Sequence, residues 1–599
     1  MQEFLMGNQA IARGAWDAGV NVVCGYPGTP STEILETVAK QNDGRVYVEW
    51  SVNEKAALEL AAGAAYAGAR ALVTMKQVGL NVAADPLMSL AYVGVKGGLV
   101  IVAADDPGPI SSQTEQDTRQ FARFCKIPVF DPQSPQEAYD MVGDAFTLSE
   151  RIGSPVLLRP TTRVCHGCAV VACADAPKEH APEGFVRDPA RWVIFPRSSY
   201  LNHLKIEKRN PELGAEFSRY ARNRLSGGGR IGLAAGGVSR VYLKEALRGY
   251  EPSVRLLEVA TPFPFPEALA ETFLRSVDEV WVYEELDPVI ERELVTLCGK
   301  LHLMIDIHGK LDGSCAQAGE NSVEGASALL SQCLPAYAPP PLPQRPQPPA
   351  LAVRPPVLCA GCPHRASFCA VKRALHGRKY VACGDIGCYT LGNAMPLDMV
   401  DTCLCMGADV TMAQGLRRAE PDRLAVAFIG DSTFFASGIT GVINAVYNET
   451  DLLLIVLDNS TTAMTGHQPH PGTGITMMGH RKPGLSIEAV LTAVGVGHVA
   501  TVNPLSLAEA VQAVRDAADL TGVRAVVFRS PCIAVAKGTG TFVVTDRCIH
   551  CRKCVTELGC PAIAAQGGEV VIEPSLCFGC GLCAQVCPVK AIERGEVEA

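Results

Sequence analysis

Cys548-Ile-His-Cys551-Arg-Lys-Cys554-Val-Thr-Glu-Leu-Gly-Cys560-Pro561, followed by Cys577-Phe-Gly-Cys580-Gly-Leu-Cys583-Ala-Gln-Val-Cys587-Pro588, is the most informative stretch of the sequence. Three thiolates at CxxCxxC spacing wrap one face of an iron–sulfur cube, and the fourth ligand arrives from the other motif. The spacing therefore assigns Cys548, Cys551, Cys554 and Cys587 to one [4Fe–4S] cluster. Cys577, Cys580, Cys583 and Cys560 go to a second. The proline after each fourth cysteine bends the chain away from the cube. Five residues separate Cys554 from Cys560 where three are usual, which implies a longer loop before that ligand. Zinc sites or buried free thiols would not require eight cysteines in this order.

The doubled motif resembles a bacterial ferredoxin and implies a small α+β domain over residues 540–599 that moves electrons one at a time. Upstream, Ala338–Val357 carries nine prolines and reads as a polyproline-type linker, placed at 336–357. On its C-terminal side, residues 358–537 alternate strands with helical stretches; Leu424–Ile429, Leu452–Leu457 and Ala525–Phe528 are the strands. On its N-terminal side, residues 190–335 hold Ile231–Ala234, Ser253–Glu258, Glu279–Tyr283 and His302–Asp306. Residues 1–185 hold Asn21–Cys24, Val46–Glu49, Ala71–Met75, Leu99–Ala104 and Pro155–Arg159, with Glu54–Ala69 as a helix. This β–α rhythm predicts parallel sheets. The expected architecture is a multidomain α/β protein with a C-terminal α+β domain.

Bulk properties narrow the function classes. A chain of 599 residues is too long for one core, and about three to five domains is the expectation. With 48% hydrophobic and 19% charged residues it is an ordinary globular composition. A formal net charge of −9 argues against a nucleic-acid partner. The longest apolar runs, Leu99–Ala104 and Leu452–Leu457, are strand-sized, and Met-Gln-Glu-Phe-Leu begins no basic-then-apolar leader. No membrane span and a cytoplasmic location are expected. The 24 cysteines then signify metal or redox centres rather than disulfides.

Gly430-Asp431-Ser432 follows one apolar strand and Asp458-Asn459 ends the next, with Asp431 and Asn459 28 positions apart. A carboxylate and an amide oxygen at the ends of adjacent parallel strands can both reach one Mg2+, a hard cation that takes oxygen ligands. Gly430 and Gly438 are expected to let a diphosphate approach near a helix start.

This pattern is similar to the GDG…N signature of thiamine-diphosphate enzymes, with Ser432 replacing the last glycine. The likeness becomes close at Asp458-Asn-Ser-Thr-Thr-Ala-Met-Thr-Gly-His-Gln468, Tyr26-Pro-Gly-Thr-Pro-Ser-Thr-Glu33 and Cys359-Ala-Gly-Cys-Pro-His-Arg365. Together with the two cluster motifs, these resemble the alpha subunit of the indolepyruvate type of 2-oxoacid:ferredoxin oxidoreductase, over essentially the whole chain. The resemblance implies a pyrimidine-binding domain, a middle domain, a diphosphate-binding domain and a ferredoxin-like domain in that order. It implies Asp431, Asn459 and the carbonyl of Thr461 as Mg2+ ligands, with Gly430 and Ser432 beside the diphosphate. Glu54 would hydrogen-bond the aminopyrimidine ring and so promote loss of the cofactor's weakly acidic proton. Thr29 would contact the substrate carboxylate or cofactor.

Cys359, Cys362, Cys388 and Cys532 match the ligands of a third cluster beside thiamine in many relatives. The implied reaction is oxidative decarboxylation of an aryl pyruvate to its acyl-coenzyme A, with electrons passing to ferredoxin. A smaller beta subunit is implied, in an assembly of two copies of each chain. Pyruvate-type relatives carry an arginine after the strand matching Leu99–Ala104. Here Ala103-Ala-Asp-Asp-Pro107 stands there, which favours a bulkier acid. The alternatives are a sister enzyme for phenylglyoxylate or branched 2-oxoacids, a non-oxidative thiamine decarboxylase, and an electron-transfer subunit that binds no thiamine.

The remaining candidates read as structural. Cys369, Cys383, Cys403 and Cys405 are taken as packing thiols. Cys165, Cys168 and Cys173 lack a second CxxC partner for zinc. His467 and His470 lie in a Gly/Pro-rich loop and are read as surface groups.

Overall fold

The computed structural model describes residues 1–339 and 349–595. The chain forms two compact units, Met1–Gln347 and Pro348–Ala599. The proline run from Pro340 to Pro348 lies outside the described residues; 349–357 form no helix or strand.

In the first unit, residues 22–158 build a six-stranded all-parallel sheet. Its order is Tyr47–Trp50, Val22–Gly25, Ala71–Lys76, Leu99–Ala104, Val156–Leu158 and Val129–Phe130. Leu99–Ala104 is buried along its whole length, as a strand covered on both faces must be. A second sheet of five strands runs Asp306–His308, Glu279–Tyr283, Ile231–Gly236, Val254–Val259 and Arg224–Gly227, antiparallel only at the last pair. Buried ion pairs cross within the unit: Arg119 to Glu284 (3.0 Å), Arg159 to Asp105 (2.6 Å), and Arg240 to Glu137 (2.7 Å).

In the second unit another six-stranded parallel sheet runs Thr402–Cys403, Tyr380–Gly384, Leu424–Gly430, Leu452–Asp458, Val523–Arg529 and His498–Val502. Numbering each sheet's strands by chain order, both six-stranded sheets read 2-1-3-4-6-5. The C-terminal residues form two short antiparallel pairs, Phe542–Val544 with Ile592–Arg594 and Ile563–Gln566 with Glu569–Ile572. This α+β part shares one hydrophobic core with the parallel sheet, where Phe368, Phe428 and Leu457 belong with Leu558, Ile563 and Leu582. Gly361 (φ +79°) is needed for that docking, because a Cβ there would lie 2.4 Å from Phe578 Cβ.

The fold class matches the expectation, and three local readings change. The strand placed at His302–Asp306 is Asp306–His308, because His302 (φ +53°) instead ends the helix Val289–Leu301. The helix from Glu54 stops at Tyr66, followed by Gly68 at φ +87°. Gln2–Met6 pairs antiparallel with Cys168–Ala172, an unforeseen two-stranded sheet that also leaves Cys168 exposed.

Candidate functional site

Functional groups in doubly wound sheets gather at the carboxyl ends of the strands, at the point where strand order reverses. In the first unit that point lies between Val22–Gly25 and Ala71–Lys76. The turn after the first strand is Tyr26-Pro-Gly-Thr-Pro, in which Ser31 N–H donates to Gly28 O at 2.9 Å. Thr29 sits in it, half-buried, and its carbonyl accepts from Ser111 Oγ at 3.2 Å. Lys76, ending the next strand, runs its stem against Gly28, where an added Cβ would be 3.1 Å from Lys76 Cγ and Cδ. Its Nζ donates to Ser111 O at 3.4 Å.

Glu54 opens the helix Glu54–Tyr66 that precedes the strand Ala71–Lys76, and its N-cap Asn53 accepts from Ala56 N–H at 2.9 Å. The Glu54 side chain is turned inward and only 9% exposed. Gly79 makes room for it, since a Cβ there would sit 2.5 Å from Glu54 Oε1. Burial pushes the Glu54 carboxyl up to about 7, opposed by the charge of Lys76. Burial in turn lowers the Lys76 ammonium, and Asp106 and Glu54 counteract that. Of the two aspartates in the Ala103–Pro107 stretch, Asp105 is taken up by Arg159. Asp106 accepts from Thr162 Oγ1 (2.6 Å), Ser111 N–H (2.8 Å) and Ser112 N–H (2.9 Å).

In the second unit Asp431 begins a short helical turn that passes into a π-helical segment, Phe434–Gly438. Single π-turns of this kind recur at functional sites. Asp431 is fixed on every side. Its Oδ1 accepts from Ser432 N–H at 2.9 Å, and its Oδ2 accepts from Asn459 N–H (3.1 Å) and Ser460 N–H (2.8 Å). Ser460 at φ +61° turns these successive N–H groups toward the carboxylate. The amide of Asn459 is oriented at both ends. Its Oδ1 accepts from Thr461 N–H at 3.2 Å, and its Nδ2 donates to His364 Nε2 at 3.1 Å. His364 is 3% exposed, and burial lowers it to about 4, so a neutral imidazole is the acceptor.

Asp431 and the pair Asn459 and Thr461 thus stand on two buried turns at the ends of adjacent strands, and their oxygens are a donor set suited to a hard cation. Ser432 joins it through Thr462 Oγ1 at 3.0 Å. Gly430 and Gly438 each lie against a side chain. A Cβ on Gly430 would meet Tyr389 Oη at 2.4 Å, and one on Gly438 would meet Ile429 Cδ1 at 2.3 Å. Both glycines let these neighbours pack closely.

The cysteines divide into two cavities. One is lined by Cys560, Cys577, Cys580 and Cys583, with Cys362 and Arg365 on its wall. The other is lined by Cys548, Cys551, Cys554 and Cys587. Cys587 thus shares a cavity with the first CxxCxxC motif, and Cys560, after its longer loop, with the second. Ala591 N–H donates to Cys587 Sγ at 3.2 Å, the type of bond that tunes a cluster. Among the described residues no three His, Cys, Asp or Glu side chains close on a single metal ion; a cube holds its thiolates farther apart than one ion would.

Of the third set, Cys388 lies within electrostatic reach of Cys532 and Cys359, and Cys362 within reach of Cys359. Cys532 N–H donates to Asn459 O at 2.9 Å, which ties this set to the Asp431 turn. Burial pushes the Cys362 thiol up to about 12 and Cys388 up to about 11, so each would stay protonated unless a metal took it as thiolate.

Four sequence readings need correction or completion. Cys403 and Cys405 are exposed rather than packed, because the loop after the edge strand Thr402–Cys403 leaves the sheet. His470 is buried, with Nε2 3.1 Å from Asp431 Oδ2, whereas His467 is exposed. His364 and Arg365, inside the quoted CxxCPHR segment, had no assigned role. Lys76 was missed too; a cation ending a buried strand was the available signal.

The chain resembles known families and proteins along nearly its whole length. "Pyruvate flavodoxin/ferredoxin oxidoreductase, thiamine diP-bdg" matches residues 13–183, "Thiamine pyrophosphate enzyme, C-terminal TPP binding domain" matches 385–528, and "4Fe-4S binding domain" matches 570–593. Indolepyruvate oxidoreductase subunit IorA of Methanothermobacter thermautotrophicus is 41% identical over 98% of this chain and 97% of that protein. Its namesake in Archaeoglobus fulgidus is 42% identical over 99% and 97%. A solved 2-oxoglutarate:ferredoxin oxidoreductase from Magnetococcus marinus is 16% identical, covering 55% of this chain and 65% of that one, with a TM-score of 0.43. At 41–42% identity over nearly its whole length to the two archaeal proteins, the chain belongs to the indolepyruvate oxidoreductase IorA subunits, within the thiamine-diphosphate-dependent 2-oxoacid:ferredoxin oxidoreductase family.

Proposed function

We propose that this chain oxidatively decarboxylates aryl pyruvates of the indolepyruvate type to acyl-coenzyme A and sends the electrons singly to ferredoxin. The partner would be a smaller beta subunit, in a cytoplasmic assembly with two copies of each. The proposed domains are those read from the sequence: 1–185 for the pyrimidine, 190–335 as middle domain, 358–537 for diphosphate and Mg2+, and 540–599 for two clusters.

The observation that carries the proposal is the start of the helix Pro363–Ala374. His364 orients Asn459 there, while Cys362, two positions before it, and Arg365, the next residue, face the cavity of a cluster. Cofactor end and electron outlet are thereby joined through adjacent residues. Bound thiamine diphosphate supplies a nucleophilic carbon and an electron sink for loss of CO2.

The protein's own groups do the rest. Asp431, Asn459 and the Thr461 carbonyl hold Mg2+, with Gly430 and Ser432 beside the diphosphate. Glu54, pushed to about 7, keeps a proton on its carboxyl near neutrality and can offer it to a ring nitrogen. Thr29 and Lys76 bind the substrate carboxylate; Lys76 supplies the cation that Asp105 and Asp106 cannot. Cys359, Cys362, Cys388 and Cys532 hold a third cluster, from which the set around Cys560 is the next outlet and the set around Cys548 the last.

The test is anaerobic purification of the complete complex, followed by assay of a panel of 2-oxoacids with coenzyme A and ferredoxin. Faster reduction with aryl pyruvates than with pyruvate, phenylglyoxylate or branched acids is expected, with about 12 iron per chain on four iron per cluster. Preference for pyruvate, or protein without thiamine diphosphate, would defeat the proposal.

A further inference from the structure

We propose that Arg365 is the fixed cation that makes the cluster of Cys560, Cys577, Cys580 and Cys583 easier to reduce. The inference rests on the reading of these cysteines as cluster ligands. Arg365 is 4% exposed and lines the cavity they form. Its guanidinium is held by backbone carbonyls alone: Nη1 donates to Leu558 O (2.5 Å) and Gly559 O (2.8 Å), and Nη2 to Leu358 O (2.5 Å) and Cys359 O (3.5 Å). Its Nε is buried with no acceptor.

Among the described residues no carboxylate lies within ion-pair distance of Arg365. Other buried arginines are paired: Arg119 with Asp117 and Glu284, Arg159 with Asp105 and Asp131, Arg240 with Glu137, and Arg524 with Asp451. An unpaired buried guanidinium is costly, and nature rarely leaves one without countercharge. The negative groups that do act on Arg365 are the sulfurs of Cys560, Cys362, Cys580 and Cys359, in that order. They belong to two different cysteine sets, and the first set owns the cavity.

A four-thiolate [4Fe–4S] cube carries a net charge of about −2 oxidised and about −3 reduced. A cation clamped by two segments of backbone stabilises the second state over the first, without a bond being made or broken. One electron arrives from the Cys359 side and none is lost to Arg365, which never titrates in this role. The clamp matters as much as the charge, since a mobile side chain would swing toward solvent as the cube oxidised.

The test is a redox titration of the anaerobic holoenzyme followed by electron paramagnetic resonance. The cluster of Cys548, Cys551, Cys554 and Cys587 serves as internal reference. Arg365→Gln is expected to lower the reduced-to-oxidised ratio of the Cys560 cluster about tenfold at fixed ambient potential, ~59 mV for a one-electron couple. The reference cluster should stay put, and Arg365→Lys should restore most of the ratio. Loss of that cluster's iron in the glutamine variant but not in the lysine variant would support the same role in a stronger form. Unchanged ratios, or equal shifts in both variants, would overturn it. Absence of iron at these cysteines in the parent enzyme would sink the underlying cluster assignment along with the inference.

Discussion

The two six-stranded sheets share the strand order 2-1-3-4-6-5 but hold their key carboxyl groups in opposite conditions. On the N-terminal sheet, Glu54 is buried at the start of a helix, and desolvation dominates the setting of its proton affinity. On the C-terminal sheet, Asp431 is buried just as deeply but receives three backbone N–H groups. One scaffold therefore leaves its carboxyl desolvated, and the other uses its carboxyl to hold two turns together. What differs is the number of backbone donors turned toward the carboxyl.

Removing the Asp431 side chain should have the largest effect. Asp431→Ala is expected to abolish turnover, beyond the ~10⁴-fold that loss of a single proton-transfer group costs. Thiamine diphosphate retention should vanish while the iron of the C-terminal cysteines remains; retained cofactor in that variant would break the contrast. Glu54→Gln comes next, with kcat lowered about 10²–10⁴-fold and the cofactor still bound.

The same substitution sharpens the comparison through pH. With a folded value of about 7 against an ordinary 4.5, folded Glu54 binds its proton over a range where the unfolded chain has lost it. Its contribution to stability is therefore lost as pH rises from 4.5 to 7, and Glu54→Gln should recover up to about 3 kcal/mol at pH 8 and little at pH 4. Chemical denaturation of the cofactor-free chain at both pH values checks the sign.

Lys76→Met should raise KM for the 2-oxoacid about 10–100-fold, the worth of one charged hydrogen bond, and leave thiamine binding intact. An unchanged KM would remove Lys76 from the substrate site. The smallest effect is Gly361→Ala. Its positive φ and the nearby Phe578 should cost about 1–3 kcal/mol of stability in the second unit, read as a lower unfolding midpoint.

Much of this was legible in the sequence where burial is complete or spacing is local. Leu424–Gly430 and Leu452–Asp458 appear as unbroken apolar runs because helices cover both faces of their sheet. The cysteine repeats reveal their partners because a cube imposes the spacing. What stayed hidden depends on distant partners. The Gln2–Met6 pairing joins residues some 160 positions apart with no local signal. His470 looked like a surface group because only the fold brings it to Asp431. Lys76 and Arg365 have ordinary neighbours in sequence; the carboxyls of Glu54 and Asp106 that act on the first, and the thiols around the second, meet them only in three dimensions.

The helix start at Cys362-Pro-His-Arg365 also links two kinds of damage. Air that strips iron from the neighbouring cysteines would release the loop that keeps His364 against Asn459. An oxidised enzyme should then shed its organic cofactor soon after its metal, and restoring activity would require iron and sulfide before thiamine.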